Sequence, residues 1–319
     1  FAAISGSSPA TAAAIGGIMI PAMVDAGYNK KYAMGLVAAA GTLGILIPPS
    51  IPMIIYGVVS EESISKLFMA GIIPGMILTL TLIISAIFYA RMKNYGALPK
   101  QSMMERWKKT RKAIWGILLP VLILGGIYGG VVTPTEASFV ACLYAIIVSV
   151  FIYKEMTIKK FWNMVNETIN ITAMIYFIIA SAVIFGMFLT IEQVPQTLGE
   201  WVHTNTSNKW VFLISVNILF FILGMFLEST SIILITLPIF LPVLAMFDIN
   251  VIHFAVIMTI NMEIAMISPP VGLNLFVISG IAKEKIGAVV KGVVPFFFLM
   301  VFVLILVIIF PQLSLFFER

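Results

Sequence analysis

Apolar stretches close to the ~20 residues that a bilayer crossing needs recur along the chain at 33–58, 66–90, 113–132, 135–153, 169–190, 251–279 and 288–310. Two more, 1–24 and 211–247, are apolar but interrupted. Ser5-Gly6-Ser7-Ser8-Pro9 breaks the first, and Glu228-Ser229-Thr230-Ser231 breaks the second. Polar, irregular backbone is tolerated at membrane depth only where protein or a water-filled cavity covers it. The pattern therefore predicts membrane-crossing helices together with two re-entrant hairpins. Charge orders the loops. Eight of the nineteen basic residues fall between Arg91 and Lys112, which marks that loop as cytoplasmic. Asn29-Lys30-Lys31, Lys154, Lys159, Lys160, Lys283 and Lys285 are expected on the same side, and Glu61-Glu62 on the other. Stretches 99–112 and 154–168 mix charges with Trp107, Phe161 and Trp162, and are expected to lie as amphipathic helices at the inner surface.

Composition sharpens the class. The 319 residues are 61% hydrophobic and 10% charged, with a mean hydropathy of +1.10. Soluble domains run about 45–50% apolar and about 25% charged. The chain reads as an all-α polytopic membrane protein. One cysteine, Cys142, rules out a disulfide framework, and reads as a small core residue. Two histidines, His203 and His253, form no metal cluster and are expected at span ends. No phosphate-cradling Walker sequence is present, and the net charge of +5 reflects loop placement rather than nucleic-acid binding.

An internal repeat is the most informative feature. An offset of 221 carries Ser8 onto Ser229, Pro21 onto Pro242, Pro48-Pro49 onto Pro269-Pro270, Gly71 onto Gly292 and Pro74 onto Pro295. An odd number of crossings between the copies inverts the second, and inverted repeats with broken helices are how many secondary transporters build a midplane site. If the copies are of equal length, with the second starting near Trp115, roughly 100 residues of the first precede Phe1, so an N-terminal part is expected to be missing.

Each copy carries two polar breaks, a hairpin tip and a Pro-Pro interruption at 41–50 or 261–274. Proline removes an N–H and clashes with the preceding turn, so a Pro-Pro pair frees several carbonyls. Such oxygens suit Na⁺, while helix N-termini attract anions. Ser7, Ser8, Ser229, Thr230, Ser231 and Asn274 are the candidate substrate residues, because neither break contains Lys or Arg. Intramembrane acids are functional candidates by default. Glu136 reads equally as a partner for hairpin backbone, Glu228 could neutralise a cation, and Glu263 could orient the carbonyls of the second break. Glu192 and Glu200 are expected in a surface segment.

Ser5-Gly6-Ser7-Ser8-Pro9-Ala10-Thr11-Ala12-Ala13-Ala14-Ile15-Gly16 resembles the first hairpin of the large membrane subunit of tripartite ATP-independent periplasmic (TRAP) transporters. Gly44-Ile45-Leu46-Ile47-Pro48-Pro49-Ser50, Thr133-Pro134-Thr135-Glu136-Ala137 and Ser268-Pro269-Pro270-Val271-Gly272-Leu273-Asn274 look like further motifs of that family, and the resemblance runs over essentially the whole chain. It implies Na⁺-coupled import of an organic acid by an elevator mechanism. One Na⁺ would be held by Ser5, Gly44, Ile47 and Pro49, and a second by Glu228, Ala265, Ser268 and Val271. No other cofactor is implied. The implied partners are a small membrane (Q) subunit and a periplasmic substrate-binding (P) protein, and the implied location is the bacterial inner membrane. Overall resemblance favours sialic acid as cargo, with C4-dicarboxylates as the other class. The moving transport domain would comprise 1–58 and 211–280, with 59–210 as scaffold and arm helices and 281–319 as a terminal scaffold span. A proton-coupled carrier, using Glu228 or Glu263, is the main alternative. A channel or an intramembrane hydrolase is remote, since Asp25 and Asp248 are the only aspartates and both sit near loop ends.

Overall fold

The computed structural model describes residues 1–93, 95, 102–194, 197 and 208–318. Glu200 and His203 lie outside the described residues. The regular structure described is entirely helical. Among the described residues, six helices are long and apolar enough to cross a membrane, namely Ile64–Met92, Met103–Tyr128, Pro134–Ile152, Ile158–Leu189, Ser229–Met246 and Ile286–Ile309.

The chain divides into two compact units, Phe1–Leu98 with Gly186–Arg319, and Pro99–Phe185. In the first unit, α1 (Ala2–Ser5) and α2 (Ser8–Asp25) form the first hairpin. α3 (Lys30–Thr42) runs into a short 3-10 turn at Leu43–Ile45, and after the break come α4 (Ile51–Ser60) and α5 (Ile64–Met92). The second series is α9 (Lys209–Gly224), α10 (Ser229–Met246), α11 (Val251–Met266), α12 (Leu273–Ala282), α13 (Ile286–Ile309) and α14 (Gln312–Leu315). In chain order, α6 (Met103–Tyr128), α7 (Pro134–Ile147) and α8 (Ile158–Ile191) come between the two series. Shifting α2 by 221 residues lands it on α10, Ser8 on Ser229 and Asp25 on Met246. Both Pro-Pro bonds, Pro48-Pro49 and Pro269-Pro270, are cis.

Local chemistry sets the boundaries. Asn29, Ser63 and Asn250 accept first-turn amides of α3, α5 and α11, satisfying donors that have no intrahelical partner. α11 is buried from Ile252 to Met266 without a solvent face, as expected of a central helix apolar all round. Two glycines allow α3 and α13 to meet backbone to backbone. A Cβ on Gly35 would overlap the Gly292 carbonyl, and one on Gly292 would overlap the Lys31 carbonyl. Gly71, the repeat mate of Gly292, lies against the Leu46 carbonyl in the same manner.

At one end of this unit Lys30 Nζ sits 2.8 Å from Glu284 Oε1, so two flanks expected on the cytoplasmic side do share an end. The Lys30 ammonium holds the Glu284 carboxyl below its usual range. Tyr28, Tyr32, Tyr89 and Tyr95 cluster close by, with the Tyr32 and Tyr89 rings stacked at 3.8 Å. Aromatic girdles of this kind mark membrane–water interfaces.

In the second unit the expected amphipathic helices are not separate elements. Residues 103–112 are the start of α6, and 158–168 are the start of α8. Ser102 caps α6 through the Glu105 amide, and no proline interrupts α6 before Pro120 or stands anywhere in α8, so hydrogen bonding continues from charged into apolar sequence. α8 has 34 residues, about 51 Å at 1.5 Å per residue, well beyond the ~30 Å hydrocarbon layer. Cys142 is exposed rather than in a core, because its helix turns most of its surface outward. Glu136 partners its own helix start: Thr133 N donates to Glu136 Oε2 at 2.8 Å, and Glu136 N donates to Thr133 Oγ1 at 3.3 Å. Glu192 is exposed just beyond α8.

Candidate ion and substrate site

The first hairpin turns on Gly6, whose φ of 58° closes α1 in the left-handed region, where a side chain is strained. Around that turn three oxygens gather. Ser5 Oγ donates to the Ser7 carbonyl at 2.9 Å, Thr11 Oγ1 donates to the same carbonyl at 2.8 Å, and the two hydroxyls lie 2.7 Å apart. The first break closes on them. A Cβ on Gly44 would stand 2.8 Å from both the Ser7 carbonyl oxygen and Thr11 Oγ1, so only glycine allows this approach. Ile51 N donates to Gly6 O at 3.4 Å, and the position of a Gly6 Cβ lies 3.1 Å from Pro49 O. Ser50 Oγ donates to the Ile45 carbonyl and caps α4.

The structure thus brings Ser5, Gly44 and Pro49 to one turn. The Ile47 side chain faces Gly75 on α5. Thr11 belongs to this cluster although it was not among the expected ligands; its spacing, one helical turn after Ser7, was the available signal.

The second hairpin and break assemble comparably with different residues. Gly224, at the end of α9, meets Ala265, whose Cβ lies 2.6 Å from where a Gly224 Cβ would be. The small residue sits in the hairpin here and in the break, as Gly44, in the first copy. Gly272 N donates to Met225 O at 3.0 Å, tying break to hairpin. Gly272 has φ 60°, and a Cβ there would press within 2.6 Å of Ser268 O. Ser268 Oγ donates to Ile264 O at 2.7 Å, and Val271 lies in the same bend. Glu228, exposed, occupies the N-cap position of α10 without a side-chain bond to the first-turn amides; its Oε1 instead accepts from Thr230 Oγ1 at 3.0 Å. The carboxylate is therefore turned to the start of its own helix.

Among the substrate candidates, Ser8 and Asn274 meet. Both are fully buried, and Asn274 Nδ2 donates to Ser8 Oγ at 2.8 Å and to Ala38 O at 3.1 Å. A hydroxyl of the first hairpin is thereby joined to the second break across 266 residues. The helices follow suit: α2 packs on α12, and α10 packs on α4, so each hairpin helix lies against the post-break helix of the other copy. α2 and α12 begin without a side-chain cap, at Ser7 and Gly272. Their meeting ends thus retain amide donors and positive dipole ends for a ligand. Among the described residues, Asn274 Oδ1 and Ser229 Oγ are buried with no hydrogen-bond partner. Thr230 is buried, whereas Ser7 and Ser231 are half-buried.

Two expectations change here. Glu263 is fully buried and, among the described residues, neither carboxyl oxygen has a hydrogen-bond partner, so it makes no bond that would orient the break carbonyls. His253 is buried rather than interfacial, with Nδ1 3.2 Å from Ser314 Oγ, because α14 folds back over that end of α11.

Residues 1–313 match the family described as "Tripartite ATP-independent periplasmic transporter, DctM component". The chain belongs to this family of TRAP transporter large permeases. It is 46% identical over 315 residues to the C4-dicarboxylate TRAP transporter large permease DctM of Pseudomonas aeruginosa, covering 99% of this chain and 74% of that one. It is 38% identical to the sialic acid TRAP permease SiaM of Vibrio cholerae over 99% and 74% of the two chains. With the 2,3-diketo-L-gulonate permease YiaN of Escherichia coli it shares 37% identity over 98% and 73%. Membership in the family makes the chain a multi-pass membrane transporter rather than an enzyme. The hairpins, breaks and uncapped helix ends are parts of a TRAP permease.

Proposed function

We propose that this TRAP permease imports an organic anion across the bacterial inner membrane, coupled to Na⁺, by an elevator movement of its hairpin-bearing helices. The observation that carries the reading is the meeting of two uncapped helix N-termini at Ser8 and Asn274. Neither break holds a Lys or Arg, so dipole ends, amides and hydroxyls would receive the carboxylate. Ser7, Ser229, Thr230 and Ser231 complete that set at the two tips. Relatives named for C4-dicarboxylates are more similar than those named for sialic acid, which makes C4-dicarboxylates the first cargo to assay.

For Na⁺, Ser5, Gly44, Ile47 and Pro49 supply the first site, with Thr11 added by proximity. Glu228, Ala265, Ser268 and Val271 supply the second. Hard oxygen donors without soft ligands suit this ion rather than a transition metal. The two copies are read as inverted repeats. The Gly35–Gly292 contact ties α13 to α3, so we place α13 with the moving helices rather than with a scaffold. A small membrane Q subunit and a periplasmic binding protein are the partners. No cofactor is invoked beyond the coupling ion.

Na⁺ that binds the folded protein must stabilise it, by about 2.7 kcal/mol at a hundred times Kd. The purified protein should melt at progressively higher temperature as NaCl is raised at constant ionic strength against KCl, and Ser268→Ala should blunt the rise. Identical curves in NaCl and KCl would contradict a sodium site.

A further inference from the structure

The second unit carries a built cleft that the transport reading does not use. It measures about 770 Å³ and is lined by Lys108, Lys109, Arg111 and Lys112 of α6, with Trp115 one turn further along and Tyr153 from the turn after α7. Two hydrogen bonds fix its walls. Tyr153 Oη donates to the Lys112 carbonyl at 2.9 Å, and Tyr144 Oη donates to the Trp115 carbonyl at 2.8 Å. Among the described residues, none of the four cations has an ion-pair partner, and no carboxylate lines the cleft. Like charges crowded this closely repel one another unless an anion sits among them.

Position narrows the occupant. The basic run ends where the apolar part of α6 begins, and Trp115 and Tyr153 mark the membrane–water boundary. Beyond it, α6 exposes Ile117 and Val121, while the π turn after α7, Val148–Ile152, exposes Phe151. The cleft thus offers phosphate-binding charge at headgroup level and apolar helix surface at acyl depth. Basic pockets between membrane helices on the cytoplasmic side match anionic lipid headgroups. Charge complementarity between four unpaired cations and a headgroup with two phosphodiesters favours a diphosphatidyl lipid over one with a single phosphate.

We propose that this cleft is a binding site for an anionic phospholipid of the cytoplasmic leaflet, of the cardiolipin type, with its phosphates between Lys108 and Lys112 and its acyl chains along α6 and the turn after α7. The cleft shares no residue with the proposed ion and substrate sites, and its test does not depend on transport.

The purified full chain, stripped of lipid, is titrated with cardiolipin, phosphatidylglycerol or phosphatidylcholine and examined by native mass spectrometry. Cardiolipin should bind at least about tenfold more tightly than phosphatidylcholine, and removing cleft cations should cost about fivefold each. The variant Lys108→Gln/Lys112→Gln/Met103→Lys/Met104→Lys keeps the number of positive charges that orient the loop but moves two out of the cleft. It should lose most of the cardiolipin preference. Equal retention of all three lipids, an unchanged preference in the rearranged variant, or equally effective competition by inorganic phosphate overturns the site. Should that variant not fold, photoactivatable cardiolipin on the unaltered protein decides the matter. Labelling should map to the peptides holding 108–115 and 151–153, and labelling confined to other helices overturns the proposal.

Discussion

Asn274→Leu is expected to reduce substrate uptake by about a hundredfold while leaving a membrane-inserted protein. Leucine keeps asparagine's branched four-atom skeleton but donates nothing. Ser8 Oγ and the Ala38 carbonyl both lose their link to Asn274, and each buried group left unsatisfied costs about 1–3 kcal/mol. That loss falls on the junction between the first hairpin and the second break, where two uncapped helix ends would receive the carboxylate. Stability and function can be separated in one preparation. Melting should shift by a few degrees, whereas uptake should nearly vanish. Unimpaired uptake by a folded Asn274→Leu protein would remove the junction from the substrate path.

Gly35→Val should have the largest effect on folding. Helices α3 and α13 approach so closely that even a single Cβ on Gly35 would overlap the Gly292 carbonyl, and backbone cannot yield as a flexible side chain can. Overpacking a filled contact costs about 3 kcal/mol, here at the crossing that unites one copy with the other. Loss of the monodisperse purified species, or a fall in melting temperature of several degrees, is the expected outcome. Gly17→Ala is the contrast, because nothing lies within 4 Å of its Cβ position. That change should be neutral or stabilising by up to about 1 kcal/mol, since alanine is the better helix former. Equal behaviour of the two variants would mean that the α3–α13 contact does not limit packing.

Much of this architecture was legible in the pattern of apolar runs and prolines. Ser5–Pro9 and Glu228–Ser231 are polar where a lipid-facing helix cannot be, and both became hairpin tips. The proline coincidences at a constant offset announced two matching series of helices. Glycines were legible as repeat marks, but the reason for Gly71 and Gly292 was not, because a backbone crossing leaves no sign in the linear order of residues. The same blindness hid Gly224, whose partner Ala265 is 41 positions away. It also hid the Ser8–Asn274 bond, whose ends were each picked out for polarity but not as a pair. Continuity was misjudged in the opposite sense. Charge separated 103–112 from the apolar sequence after it, yet helical hydrogen bonding is indifferent to whether side chains meet water or lipid. Buried polar groups were hardest to place: Glu263 and His253 were set by hydropathy near breaks and ends, but the packing of α11 on every face decides their surroundings.

The most direct measurement is uptake of a labelled C4-dicarboxylate into proteoliposomes holding the intact permease with the proposed small membrane subunit and periplasmic binding protein, with Na⁺ and proton gradients imposed separately at fixed internal pH. Accumulation should require an inward Na⁺ gradient and the binding protein, and should saturate with substrate. Accumulation that follows the proton gradient and ignores Na⁺ would contradict the sodium-coupled mechanism and leave the oxygen clusters at Ser5 and Ser268 without an ion to hold.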